Sequence, residues 1–304
     1  SSAWKIIQRS LSIEFLDPRL SALIAAVFIS FARLLYKAAL QYIGVGISTV
    51  IMSLVSVVVG YIFLKIEGKV DSFPLYACLL FVGVGMSANL AGRYFSLVSI
   101  NLVGLSRTSI LMQTSLVWSA AFAVLFLNEE VNFYVFCGTM AVMFGSILLV
   151  YEKDSNYSKV PFTHFLVPVI TAVTFALAHL LGKLGLAIVD SAPFAQTVSN
   201  ATSFVAMFMI FICSKEFKVG GWKKMHPIIM VSVGALFNAM AAFFFWTALR
   251  TGDIVQVLPI NRLNVLMIIF LSWIFFRKQE SITKQVVIGG VMAVVGAFFV
   301  ALGK

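Results

Sequence analysis

Six basic residues stand inside long apolar stretches of this chain: Arg33, Lys37, Arg93, Arg107, Lys183 and Arg262. An Arg or Lys at the centre of a bilayer costs roughly 2.5–3.5 kcal/mol on insertion scales, so a cation there usually faces a water-filled path or a bound solute. A guanidinium fork makes two parallel hydrogen bonds to a carboxylate or phosphate, so anion recognition is the chemistry these residues suit. Arg33 and Lys37 are four residues apart and share one helix face, where like charges repel. An anion between them relieves that repulsion, which grows as water becomes scarce. His179 and Lys183 repeat the spacing. All twelve acidic residues lie in connections or at the ends of the apolar stretches, so the basic charge has no acidic partner deep among them.

Depth ranks the candidates. Arg33, Arg107 and Arg262 lie seven or more residues inside their stretches, about 10 Å or more of helix at 1.5 Å per residue. They are expected to bind solute. Asn261 and Asn264 flank Arg262, and Gln113, Asn89 and Asn238 stand in other stretches; their amides suit the polar groups of a solute. Lys37, Arg93 and Lys183 lie within one or two turns of an end, where a long side chain reaches the interface. With His179 they are expected to attract or gate. The blander alternatives are a scaffold role for the two lysines, carbonyl capping by Arg93 and a satisfied buried histidine at 179.

These residues need elements to hold them, and composition says which. Of 304 residues 61% are hydrophobic and 11% charged, with a mean hydropathy of +1.02. A soluble domain carries about a quarter charged residues. Crossing the hydrocarbon layer takes about 20 apolar residues, and ten such runs are legible: 20–42, 46–64, 74–96, 100–127, 132–151, 162–189, 192–213, 226–250, 254–276 and 283–303. A bilayer admits only helices or closed barrels, and these runs are too long for barrel strands. Ser96, Ser99 and Asn101 are the only interruption between the third and fourth. Trp4, Ile7, Leu11 and Phe15 recur at helical spacing, as in an interfacial helix. The start, Trp4 to Ile7, lacks the clean apolar core of a cleavable signal peptide.

The chain also repeats itself. Ala32-Arg33-Leu34-Leu35-Tyr36-Lys37 returns as Ala178-His179-Leu180-Leu181-Gly182-Lys183, with four of six positions identical. Gly83 and Gly234, Glu129 and Glu280, Gly138 and Gly289, and Gly145 and Gly296 share one offset of 151 residues. Five spans per half is an odd number, so the second half enters the membrane inverted, an arrangement suited to alternating access around a midplane site. The expected organisation is an N-terminal interfacial helix or tail (1–19), a first repeat (20–152), a connecting loop (153–161) and a second repeat (162–304). The expected fold is an all-α membrane protein of ten transmembrane helices, two inverted five-helix repeats around a central cavity.

The pattern resembles the drug/metabolite transporter superfamily, EamA-type. The residues that carry the likeness are a Lys near the end of the first span of each half (Lys37, Lys183) and a Glu followed nine residues later by Gly (Glu129 to Gly138, Glu280 to Gly289). Pro259 also fits; Thr108, its counterpart in the first half, departs, as does Phe31-Ala32 where the family has Trp-Gly. The likeness implies a multi-pass protein of the plasma (inner) membrane, both termini cytoplasmic, with a central cavity between the halves. Loop charge does not select that orientation: seven basic loop residues fall inside and nine outside, against the usual bias.

Other chemistry is disfavoured. Cys78, Cys137 and Cys213 are scattered without metal or redox spacing. Gly83-Val84-Gly85-Met86-Ser87-Ala88 looks like a dinucleotide fingerprint, but no strand precedes it, and helix packing is the better account. The net charge of +10 has no soluble basic module to present to nucleic acid. No cofactor, metal or catalytic residue is expected. Small residues at Gly289, Ala293 and Ala297, and at Ala141 and Gly145, suit close helix contact in the bundle or in a homodimer. The expected function is alternating-access secondary transport of a small polar metabolite, anionic in kind. The alternatives are an exporter of zwitterionic or neutral amino acids or amphipathic compounds, and a non-transporting scaffold.

Overall fold

In lipid an apolar run satisfies its backbone only by coiling on itself or by closing a barrel. The computed structural model describes residues 18–67, 74–127, 132–150, 161–189, 191–215, 225–251, 261, 263–277 and 282–302, and every regular element among them is helical. In chain order these are α1 (Pro18–Ala39), α2 (Val45–Glu67) and α3 (Leu75–Val84), which runs through a π-helical segment (Gly85–Gly92) into α4 (Arg93–Val103). Then come α5 (Leu105–Leu111), a 3-10 turn (Met112–Thr114), α6 (Ser115–Leu127), α7 (Phe133–Val150) and α8 (Phe162–Leu186). The chain finishes with α9 (Ala192–Cys213), α10 (Met225–Thr251), α11 (Asn264–Phe275) and α12 (Lys284–Leu302). Six stretches among the described residues are long and apolar enough to cross a membrane, and Phe133–Gly145, Asn264–Phe275 and Lys284–Phe299 are shorter apolar helices. Large apolar side chains such as Leu79, Phe144, Phe208 and Ile274 are exposed, as a lipid-facing surface requires.

One boundary differs from the sequence reading, and it matters. The third span does not end near residue 96; the helix is continuous from Leu75 to Val103. The Ser99 hydroxyl donates back to the Phe95 carbonyl at 2.7 Å, which lets a serine sit inside a helix without breaking it. The break comes at Gly104, whose φ of 91° makes it the one positive-φ glycine among the described residues. Only glycine takes that conformation without strain. Depth along the helices changes accordingly. Arg93 lies eighteen residues after Leu75 and ten before Val103, about 15 Å of helix from the nearer end, so it stands well inside the continuous helix rather than near its end. Arg107 lies three residues beyond the Gly104 break, so it is shallower along its helix than expected.

The most extensive helix pairs join the two halves: α1 with α10, α7 with α12, α2 with α9, and α8 with the continuous α3–α4 helix. Exchanging the halves turns the first pair into the last and leaves the middle two unchanged. Glycines make these approaches close. A Cβ on Gly145 would lie 2.9 Å from the Gly289 carbonyl oxygen, and one on Gly296 would lie 2.6 Å from that of Gly138. Equivalent glycines thus make reciprocal contacts in an antiparallel crossing of α7 and α12. Gly83 abuts Leu181, and its equivalent Gly234 abuts Tyr36 and the Ala32 carbonyl. Gly85 faces the Ser199 carbonyl and Thr202, so the fingerprint-like stretch is a packing seam. On the α2–α9 seam, the hydroxyls of Ser53 and Ser203 share a hydrogen bond of 2.9 Å, and both residues are fully buried.

Candidate functional site

Ser30, Arg33 and Lys37 recur at helical spacing on one face of α1, and a basic cluster forms along that face. The Arg33 Nη1 donates to the Met112 sulfur at 3.5 Å, and that sulfur also accepts from the Ser96 hydroxyl at 3.5 Å. A thioether is a weak acceptor, and a guanidinium carries five N–H donors, so most of the donor capacity of Arg33 is left over. The Lys37 Nζ donates to the Ile100 carbonyl at 3.3 Å, the same oxygen that receives the Gly104 amide at 3.2 Å. Lys37 therefore caps the C-terminus of α4, where the helix dipole favours a cation.

Tyr36 and Arg93 complete the cluster. The Tyr36 ring packs over Gly234, in space that a Cβ there would enter to within 2.7 Å. Its hydroxyl is buried without a hydrogen-bond partner, within Coulombic range of both Arg33 and Arg93. The Nη1 of Arg93 is likewise buried without a partner. The Ser30 hydroxyl donates to the Ala26 carbonyl at 2.7 Å, and the backbone carbonyl of Asn264, at the start of α11, lies 3.3 Å from the same hydroxyl. The Asn264 side-chain oxygen Oδ1 is buried and unpartnered. A buried polar atom without a partner costs about 1–3 kcal/mol, and Tyr36 on α1, Arg93 on α4 and Asn264 on α11 each carry one, as do Ser21, Ser56 and Asn200. No Asp or Glu is among the residues whose side chains are described.

The other expected residues are spread more widely. Arg107 is fully buried, with no exposed surface, and every residue from Val103 to Ser115 is buried. The polar helix α5 is enclosed on all sides. Gln113 is buried in the 3-10 turn beside Met112. Asn89 donates to the Ser199 hydroxyl at 3.0 Å and ties the π-helical segment to α9. Asn238 is half-buried on α10, and Asn261 is half-buried just ahead of α11. Arg262 lies outside the described residues, as do Pro259, Glu129 and Glu280. His179 and Lys183 are exposed on α8, with the His179 Nδ1 3.4 Å from the Ser119 hydroxyl. The inward geometry of Arg33 and Lys37 is thus not reproduced by the repeat partners.

Sequence reasoning passed over Tyr36, Met112, Ser96 and the π-helical segment. One signal for the first was available. Within the six-residue repeat the halves differ at Arg33 against His179 and at Tyr36 against Gly182, and both first-half residues belong to the cluster. The π-helical segment has no sequence signature, yet such segments frequently sit at functional sites, and this one leads directly into Arg93.

The EamA-like transporter family model matches residues 18–151 and again residues 162–302. No curated protein matches the sequence. A solved protein crystal structure superposes on 94% of this chain and 96% of its own length with a TM-score of 0.61 at 12% identity, a likeness of fold alone.

Proposed function

This chain belongs to the EamA-like transporter family, and on that premise we propose that it is a secondary carrier for a small anionic metabolite. Membership makes it a multi-pass membrane protein that moves small molecules. The reading adds ten spans, two inverted halves, and Arg33, Arg93 and Lys37 as the groups that draw and hold the anion. Its support is the cluster itself: three cations and a phenol gathered on α1 and α4, with unpartnered donor atoms on Tyr36 and Arg93.

The same cluster favours exchange. Arg33 and Arg93 both act on the Tyr36 hydroxyl, and like charges gathered in this way repel, more strongly where water is scarce. An empty site therefore carries a repulsion that a bound anion removes. A carrier that reorients readily only when loaded exchanges one anion for another. Arg107, wholly enclosed in α5, takes a supporting place in this scheme, holding the wall beside the site.

The test is counterflow in proteoliposomes. Vesicles loaded with an unlabelled carboxylate or phosphate ester take up the labelled compound through the wild-type protein. Arg33→Gln and Arg93→Gln are each expected to lower that uptake about ten- to a hundredfold, the range for losing a hydrogen bond to a charged group. Undiminished anion uptake by the double variant would falsify the reading.

A further inference from the structure

The α2–α9 seam holds two buried polar atoms without a partner. They are the Ser56 hydroxyl and the Asn200 Oδ1, and each residue is only 5% exposed. The Asn200 amide is oriented by its own helix, because its Nδ2 donates to the Gln196 carbonyl at 2.7 Å. A carbonyl only accepts, so the atom left over is the amide's own acceptor.

Two contacts fix the level of these atoms. The Ser53 and Ser203 hydroxyls meet at 2.9 Å, and a Cβ on Gly60 would lie 3.0 Å from the Thr197 Oγ1. The two helices therefore run antiparallel across the seam. Residues 53, 56 and 60 share one side of α2, and residues 197, 200 and 203 one side of α9. Ser56 and Asn200 both fall between the measured contacts, about 4.5 Å of helix along from the Ser53–Ser203 bond.

The repeat relates the two pairs. The backbone bond that opens α2 runs from the Ser48 amide to the Gly44 carbonyl, and its counterpart in α9 from the Ala195 amide to the Ser191 carbonyl. That is an offset of 147 residues, between the 146 of the first-span motif and the 151 of the later glycines. At this offset Ser53 is the equivalent of Asn200, and Ser56 the equivalent of Ser203. Exchanging the halves turns the contact of Ser53 with Ser203 into one of Asn200 with Ser56.

We infer that the seam carries a hydrogen bond with two positions: Ser53 to Ser203 in this facing of the carrier, and Ser56 to Asn200 in the opposite one. The inference rests on the carrier reading with inverted halves and goes beyond it. Such carriers alternate by rocking one half against the other. A buried seam that broke a bond and made none would hold the protein in one facing, because the freed groups have no water to turn to. Here each facing makes one bond and leaves one pair unmet, so the seam favours neither.

The experiment is disulfide trapping in proteoliposomes, with Cys78, Cys137 and Cys213 replaced by serine and copper phenanthroline as the oxidant. One form carries Ser53→Cys with Ser203→Cys, the other Ser56→Cys with Asn200→Cys. Both pairs are expected to cross-link, and each disulfide to halt counterflow of a labelled carboxylate or phosphate ester until dithiothreitol is added. Each cysteine pair weakens the bond it replaces, so the rival position dominates until its own bond is removed. Ser53→Ala should therefore speed trapping of the Ser56–Asn200 pair about two- to twelvefold, and Ser56→Ala that of the Ser53–Ser203 pair by a similar factor, the range for one net hydrogen bond. The rate is read per molecule in the monodisperse fraction, so a loss of folded yield does not enter it. Cross-linking of the Ser53–Ser203 pair alone, or of both pairs without the reciprocal acceleration, overturns the inference. The four residues would then be fixed neighbours, with a buried water serving Ser56 and Asn200. Trapped forms that still transport overturn it as well. No counterflow by the wild-type protein, with the reciprocal acceleration intact, removes the anion carrier and leaves the two positions standing.

Discussion

Two glycines on α12 separate the effect of contact distance from the effect of what is contacted. A Cβ on Gly290 would meet the Ile269 Cδ1 at 2.5 Å, with its next neighbours at 3.7 Å. A Cβ on Gly296 would meet the Gly138 carbonyl oxygen at 2.6 Å, the Val142 Cγ2 at 2.7 Å and the Val142 amide nitrogen at 2.9 Å. By distance alone Gly290→Ala is the worse substitution. The obstacle at Gly290, however, is the free end of a side chain that can turn into another staggered well. Alanine also favours a helix by about 1 kcal/mol over glycine, so Gly290→Ala should be close to neutral. At Gly296 the obstacle is backbone. Restoring ordinary contact at 3.4 Å from 2.6 Å moves α12 off α7 by about 0.8 Å. A radial gap of that size forfeits a quarter to a half of each dispersion contact along the seam, and overpacking of this kind costs about 1–3 kcal/mol. Thermal unfolding of the purified protein in one detergent, followed by tryptophan fluorescence, makes the comparison. Gly290→Ala should melt within about 2 °C of wild type and Gly296→Ala several degrees lower, by the usual relation of free energy to melting temperature. Equal losses in the two variants, or an unaffected Gly296→Ala, would refute the argument that backbone obstruction sets the cost.

Two further outcomes follow from the seams and the cluster. Ser53→Ala strands the Ser203 hydroxyl in a fully buried position and should cost about 1–2 kcal/mol, while adding Ser203→Ala should recover part of that loss; additive losses in a double-mutant cycle would mean the two hydroxyls are not coupled. Tyr36→Phe deletes a hydroxyl without a protein partner, so the melting temperature should hold or rise while counterflow of the preferred anion falls several-fold; a variant that loses stability but keeps its uptake would place the hydroxyl in the scaffold instead of the site.

The helical, repeated architecture was readable because its cause lies in long-range composition: runs of apolar residues, and glycines at one offset that return as reciprocal contacts across α7 and α12. The boundary between the third and fourth spans was misread for a local reason. Serine and asparagine look like interruptions to hydropathy, yet Ser99 satisfies itself on the Phe95 carbonyl, whereas Gly104 looks like one more packing glycine until its φ is known. That single shift moved Arg93 away from a helix end and brought Arg107 close to one. The inward turn of Arg33 against the exposure of His179 was not readable either, because the orientation of a helix face is set by tertiary packing, which equivalent sequence motifs do not encode.

The cluster and the seams divide the chain's work along the line between what the halves share and where they differ. Gly138 with Gly289 and Gly145 with Gly296 are shared, and their contacts are interchangeable. A rocking motion that exchanges the conformations of the two halves trades one such contact for its equivalent and leaves the energy of the seam nearly unchanged. Arg33, Tyr36 and Arg93 have no such counterparts in the second half: His179 stands for Arg33 and Gly182 for Tyr36. Symmetric parts cannot tell the two orientations apart, so whatever biases them must come from the asymmetric ones. Moving a two-state equilibrium from 1:99 to 99:1 takes about 5.5 kcal/mol of differential binding. Under the anion-carrier proposal, a solute would therefore have to bind this one-sided cluster with that much difference between the two orientations to govern which way the carrier faces.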